Sequence, residues 1–366
     1  MRKQKFILAA AASLLLAAFS SCGGSEVVRP DDNVTTAAVT EATTVPETTP
    51  AETTTTEPAK VYGCANPLTG EWGYNEDAIG KRPIALMINN YEGSLPQYGI
   101  SKADYMYEVV VEGGITRMMA VFADYTDIPD VCSVRSCRYY YPIIAYGLDA
   151  VYCHWGADST IATETIERLG LDRFDGYYCT MLFQNDEERL ETYDREHTGY
   201  FIGSKVPEAM DEYGFRKERN CGDKEEFIFP EKDDIFKPEG VPCTNPDVIF
   251  STEYHSTFTY DLETNTYLKQ HNGNPHMDVH GDIQLAYTNV FVLLTNINYR
   301  GVGELMDVDI MSGGSGYYIT DGVAQEINWS RPSEESNFVF TDKNGQPLTV
   351  NRGKCYFGIT DNVNLG

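Results

Sequence analysis

Two groups of residues in this 366-residue chain are of types that can do chemistry together. The first is Glu108, Glu112, Arg117, Arg135, Arg138 and His154, followed at a distance by Arg195 and His197. Guanidinium groups present paired donors that match a carboxylate or a phosphate. A helix starting just after Arg138 would add the partial positive charge of its N-terminus. This set suits an anion-binding site. With Glu112 as general acid or base and His154 as its partner, it would equally suit hydrolysis. The plain structural alternative is that Glu112 and Arg117 pair across a turn while Arg138 ties the helix down, and the residue types alone leave all three readings open.

The second group is His276, Asp278 and His280. At spacings of two, these side chains share one face of an extended strand, and two imidazoles with a carboxylate are zinc ligands. His255 and His271 are available as further ligands, although Pro275 and Gly281 bracket the run with turn residues and favour a surface loop. No pattern calls for an organic cofactor, and none is expected. Cys137 sits in Ser133-Val134-Arg135-Ser136-Cys137-Arg138, which is similar to the Ser-x-Gly-Cys-x-Arg stretch of L,D-transpeptidases but lacks its glycine. A buried structural thiol is the expectation there. The 25 tyrosines supply flat faces with a polar end, suited to sugars or to a protein partner, and Tyr139, Tyr140, Tyr141, Tyr177 and Tyr178 are candidates to line a groove.

Which elements would position these groups? Residues 82–89, apolar from Pro83 to Ile88, read as a buried strand; 104–112 and 116–125 give two more around the Gly113-Gly114 turn. Helices are expected at 139–148, 159–169 and 206–215, and a further strand at 150–154. From 240 onward prolines and closely spaced turn signals replace helical patterns. Strands are expected at 258–260, 266–270 and 288–298, with hairpins at 313–316, 321–322 and 344–345. The expected fold class is therefore an α/β first domain with a mixed sheet, over 61–240, followed by a smaller β-rich second domain over 241–366.

The N-terminus gives an address. Arg2, Lys3 and Lys5 precede an apolar run from Phe6 to Phe19 that ends in Ser20-Ser21-Cys22. The run is short of the roughly 20 residues that span a bilayer, and it reads as a signal peptide over 1–21 with Cys22 as the lipidated residue. Residues 22–60 are Thr-, Glu- and Pro-rich with few large apolar side chains, and they form a tether reaching about 30–40 Å. The expected location is the outer face of the cytoplasmic membrane, held by the lipid alone. A formal net charge of −27 speaks against nucleic acid as a partner and mainly keeps the domains soluble, while the envelope address and the Arg/Glu/His cluster point to a cell-wall polymer or an envelope protein. Nine cysteines, one of them Cys22, allow at most one or two disulfides on our reading, the rest acting as small buried apolar groups.

Several motifs in order carry a resemblance. Asn66-Pro67-Leu68-Thr69-Gly70, residues 82–90, residues 99–104, Glu112-Gly113-Gly114-Ile115-Thr116-Arg117, Val134-Arg135-Ser136-Cys137-Arg138 and His154-Trp155-Gly156 cover most of the first domain. Residues 273–278 and 288–290 extend it into the second. The chain resembles the YerB family of bacterial lipoproteins, a domain-of-unknown-function family of Gram-positive bacteria. The resemblance implies a lipoprotein, a two-part layout and an envelope role, and it supplies no catalytic residues.

Overall fold

The computed structural model describes residues 63–220, 227–301 and 305–366. Cys22, the signal peptide and the tether lie outside the described residues. The remainder belongs to a compact unit spanning Ala59–Gly366.

Its frame is one large sheet. The strands that matter are β1 (Ile84–Asn89), β2 (Tyr105–Val110), β3 (Thr116–Phe122), β4 (Val151–His154), β5 (Arg173–Asp175), β6 (Asn289–Leu294), β7 (Gly314–Thr320), β8 (Val323–Ser330), β9 (Val339–Asp342) and β10 (Cys355–Thr360). They run in the order β9-β8-β7-β6-β10-β2-β3-β1-β4-β5, with Val241–Pro242 added beside β8. β10, last of these in sequence, lies in the middle and pairs in parallel with β6 on one side and β2 on the other. The turn at 240–247 therefore divides the sequence without dividing the sheet.

Both faces of this sheet are covered, which explains why β1, β2, β3 and β10 are buried at every position and are mainly apolar without a polar face. On one face Leu86, Met106, Met118, Val290 and Tyr356 meet Phe258 and Tyr267 of a second, six-stranded antiparallel sheet. That sheet includes His255–Asp261 and Thr266–His271. On the other face Met87, Tyr107, Met119 and Phe357 meet Ile144 of α1 (Tyr140–Gly147) and Ile166 of α2 (Ile161–Leu169). A third helix, α3 (Val206–Tyr213), packs Val206, Ala209 and Met210 into the first core.

The molecule is mostly β-sheet, with three short α-helices among the described residues, so the α/β emphasis expected for the first part holds only in its mixed sheet. The expected strands at 82–89, 104–112 and 116–125 and the three helices are present within a few residues. The expected hairpin at 313–316 is instead the start of β7. Cβ atoms on Gly314 and Gly316 would stand 2.6 and 2.2 Å from the carbonyl oxygens of Leu294 and Val292, so these glycines permit close strand approach rather than a turn. The seven described cysteines are all unpaired and six are buried; the expected disulfides are replaced by thiols packed as apolar groups.

Cys355, Tyr356, Phe357 and Ile359 are each at most 1 % exposed. Burying four such side chains contributes on the order of 6–12 kcal/mol, comparable to the whole stability of a typical domain. A chain ending at Arg352 is expected to lose cooperative thermal unfolding altogether. One ending at Thr360, which removes only the edge strand Asn362–Asn364, should keep it. Differential scanning calorimetry of the two truncations distinguishes them.

Candidate functional site

At one end of the large sheet the chain turns through Glu112–Gly114 between β2 and β3, and Arg117 follows one turn later in β3. Gly113 and Gly114 both have positive φ, 69° and 72°, which lets the turn close. Glu112 accepts from Arg138 Nε at 2.7 Å and from Arg117 Nη2 at 3.1 Å, with Arg138 Nη2 also on its Oε1. Burial opposes ionisation of Glu112, but the Arg138 hydrogen bonds and the charges of both arginines outweigh it and hold the carboxyl at about 2. A carboxylate so engaged has no proton to give or take near neutral pH. The expected pairing across the turn is therefore real, and Glu112 serves as a structural anchor.

Burial, with the charge of Arg138 and then Arg135 working against Glu112, brings Arg117 down to about 10. Arg135 donates to Glu196, at 3.1 Å to its carbonyl and 2.6 Å to its carboxylate. Three arginines thus face two carboxylates, and the cluster keeps an excess positive charge before Arg195 is counted. Buried Arg117 Nη1 and His154 Nε2 have no hydrogen-bond partner among the described residues. His154, on β4, uses Nδ1 on the Gly156 carbonyl at 3.0 Å, and burial lowers its pKa. His197 is buried beside Asn89, with ring nitrogen and amide 3.0 Å apart, and burial lowers its pKa as well. Neither histidine hydrogen-bonds Glu112.

Beside this cluster opens a cavity of about 510 Å³ lined by Val134, Arg135, Trp155, Tyr177, Arg195 and Glu196, with Asn185, Gly176 and Gly199. Two glycines shape it. A Cβ on Gly176 would stand 2.6 Å from the Trp155 indole, and one on Gly156, whose φ is +81°, 2.7 Å from the Tyr177 ring. Each aromatic ring packs against bare backbone. Tyr177 lines this cavity and is 69 % exposed; Tyr178, 79 % exposed, does not line it. Tyr140 and Tyr141 are not available for it: both are buried, donating to the carbonyls of Val110 and Arg117. Tyr139 is tied to Asp307 and Val308. Cys137 is fully buried, and burial drives its thiol up to about 12, which removes it as a nucleophile.

The expected zinc set has other work. His276 sits between Lys269 Nζ at 3.0 Å and Gln97 Oε1 at 2.9 Å, so its Nε2 carries the proton and its Nδ1 accepts. Asp278 accepts from the backbone N–H groups of Gly99, Ser101 and His280. His280 stacks on Tyr98 with ring centroids 4.0 Å apart. No group of three potential metal ligands converges among the described residues. The surface-loop alternative holds for His280, exposed in the turn at 279–282, but fails for His276 and Asp278, which are buried as links between the two halves of the chain.

Those links lead to a centre that the candidate set contained only in part. Glu108, 1 % exposed on β2, accepts from Asn90 at 3.0 Å and from Thr116, Ser256 and Tyr356 at 2.8 Å each. Lys269, fully buried on Thr266–His271, lies 3.3 Å from its carboxylate. Burial works against the charge on Glu108, but Lys269 and the hydroxyl donors overcome it and its pKa is lowered. The readable signal was Lys269 itself: with Tyr267 and His271 buried on the same alternating face, it had to point inward.

Family comparison decides where the chain belongs. Residues 68–216 match the N-terminal domain, and residues 247–357 the C-terminal domain, of the family described as protein of unknown function DUF3048. The chain belongs to this family. It is 26 % identical over 306 residues to "Putative lipoprotein YerB" of Bacillus subtilis (strain 168), spanning 81 % of this chain and 86 % of that protein. The crystal structure of the YerB protein from Bacillus subtilis shares the fold, with a TM-score of 0.71 and 24 % identity over 82 % of this chain and 99 % of that one. The two family segments are separated by residues 217–246, while β10 and the Glu108 centre knit them together. Among the described residues no helix is long and apolar enough to cross a membrane.

Two outcomes test this geometry. Glu112→Ala leaves two largely buried guanidinium groups facing each other and should cost about 2–3 kcal/mol in urea unfolding. The second concerns His271, 4 % exposed with both ring nitrogens unpartnered; burial, then the Lys269 charge, lowers its pKa to about 4. The unfolded ring binds protons near its ordinary value of about 6.5. Stability present above that pH is therefore lost as pH falls toward about 4, by roughly 2–3 kcal/mol. His271→Phe should flatten the stability-versus-pH curve across this window.

Proposed function

We propose that this chain is a cell-envelope lipoprotein, anchored through Cys22 on the outer face of the cytoplasmic membrane, that binds an anionic wall polymer in the Trp155–Tyr177 groove. The N-terminal motif and the lipoprotein name of its Bacillus relative support the anchor. One observation carries the ligand class: an excess of arginine beside the half-buried Trp155 and the exposed Tyr177, in a protein whose formal net charge is −27. Saccharide rings stack on Trp and Tyr faces, and the carboxylates or phosphates of a wall polymer pair with Arg135 and Arg195. Hydrolysis by Glu112 and His154 loses its support, because Glu112 is engaged by two arginines and His154 is turned to Gly156.

The test is co-sedimentation of the full-length protein with purified wall sacculi, followed by mass analysis of the soluble fraction. Expected are salt-sensitive binding, a loss of about ten- to a hundredfold in affinity for Arg135→Ala/Arg195→Ala, and no new muropeptides. New muropeptides would restore the hydrolase reading, and failure to sediment would favour an envelope protein as partner.

A further inference from the structure

The arginines around the groove are not equally free. Arg117 and Arg138 are spent on Glu112, whose side chain is only 25 % exposed beside them. Arg195, by contrast, is exposed and makes no ion pair among the described residues. Arg135 stands between these extremes. Its Nη2 meets the Glu196 carboxylate at 2.6 Å and its Nη1 the Glu196 backbone carbonyl at 3.1 Å, and both residues line the 510 Å³ cavity. The pair is open to water, with 28 % of the arginine side chain and 57 % of the glutamate side chain exposed. An ion pair so placed is weak, because solvent and salt screen the attraction and the released carboxylate recovers its hydration.

Two features let the carboxylate leave without disturbing the arginine. The carbonyl belongs to the backbone, so Nη1 keeps its partner and the guanidinium stays in the cavity wall when Nη2 is vacated. The carboxylate also has a second donor within reach. Asn89 accepts from the Tyr91 backbone N–H through Oδ1 at 3.2 Å, which turns its amide nitrogen toward His197 Nδ1 at 3.0 Å. Nδ1 therefore accepts, and the ring proton sits on Nε2. That Nε2 lies 3.7 Å from Glu196 Oε1, a short swing from a hydrogen bond. Glu112 has no such exit, being held by two arginines at once.

From this geometry we infer that Glu196 is a specificity-determining residue of the groove: its carboxylate occupies Arg135 as an internal competitor and swings to His197 when an anionic group of the ligand takes its place. The inference rests on the anion-binding reading of the groove and adds a selection to it. A lone monovalent anion only exchanges one carboxylate-like partner for another at Arg135, and it meets the displaced Glu196 nearby. A ligand with repeated anionic groups is held first by Arg195, and its next group then reaches Arg135 at high effective concentration. The ligand class selected is a polyanion.

The test is isothermal titration of the full-length protein, purified in detergent, with inorganic tripolyphosphate, a polyanion short enough to touch the arginines alone. Glu196→Gln should tighten its binding roughly three- to tenfold. The same change in an Arg135→Ala background should give little or no gain, and Glu191→Gln, exposed and equal in charge change, controls for the loss of one negative charge. Acetate should displace tripolyphosphate no better than chloride at equal ionic strength. Unchanged or weaker binding by Glu196→Gln, an equal gain without Arg135 or in Glu191→Gln, stronger displacement by acetate than by chloride, or no binding of tripolyphosphate to either protein would each overturn the inference. Co-sedimentation of the same variants with wall sacculi keeps the two readings apart: sacculi left unbound by a protein that shows the Arg135-dependent gain would sink the wall-polymer reading and leave the role of Glu196 standing.

Discussion

A fully buried lysine and a nearly fully buried glutamate set the terms for the rest of this molecule. Lys269 and Glu108 come from the two family segments, 161 positions apart in sequence, and each would be strongly destabilising without the other. An ion pair in the interior gains little over an apolar pair of equal volume. What it adds is intolerance of error. Four further donors, from Asn90, Thr116, Ser256 and Tyr356, reach the same carboxylate, and each fixes a different strand or strand end against β2. A shift of one residue in any of them would turn its donor to the opposite face and leave Glu108 short of partners.

The same alternation connects this centre to the arginine cluster. Thr116 and Arg117 are neighbours on β3: the threonine hydroxyl serves Glu108 on one face while the guanidinium serves Glu112 on the other. On β1 and its exit, Asn90 donates to Glu108 while Asn89 meets His197 beside the groove. Two adjacent pairs of residues thus join the buried pair and the candidate site through the thickness of one sheet. A change that loosens the interior must displace the arginines, which is a reason to build a binding surface on strand ends rather than on free loops.

Strands β1, β2 and β3 were legible because burial on both faces leaves them mainly apolar, Glu108, Thr116 and Arg117 apart, and α2 and α3 because their apolar periods are intact, whereas α1 reads as a continuous apolar stretch buried from Tyr140 to Ala145. The order of the sheet was not. Nothing local in Cys355–Thr360 says that it inserts between β2 and β6, because parallel pairing is set by long-range packing and carries no turn signature. At the site, the grouping of Glu112, Arg117 and Arg138 was visible from charge density around a glycine turn. The misreading of His276 and Asp278 arose from treating residues at turn spacings as exposed. In the fold their partners, Gln97, Gly99 and Ser101, lie nearly 180 positions away, and no spacing rule reaches that far.

The acidic surface bears on what an arginine groove can select. At physiological salt, fields from exposed charges fade over about 8 Å, so the net −27 repels an anionic polymer only near contact, where the local arginines act as well. Neither attraction nor repulsion over distance then decides binding. A chain with charge alone meets repulsion over most of the surface it covers, and only one whose rings also fit Trp155 and Tyr177 gains stacking that salt does not screen. At Gly156 and Gly176 the absence of a side chain lets those rings pack directly against backbone. Selectivity on such a surface follows from the aromatic geometry, with the arginines setting which end of the ligand enters.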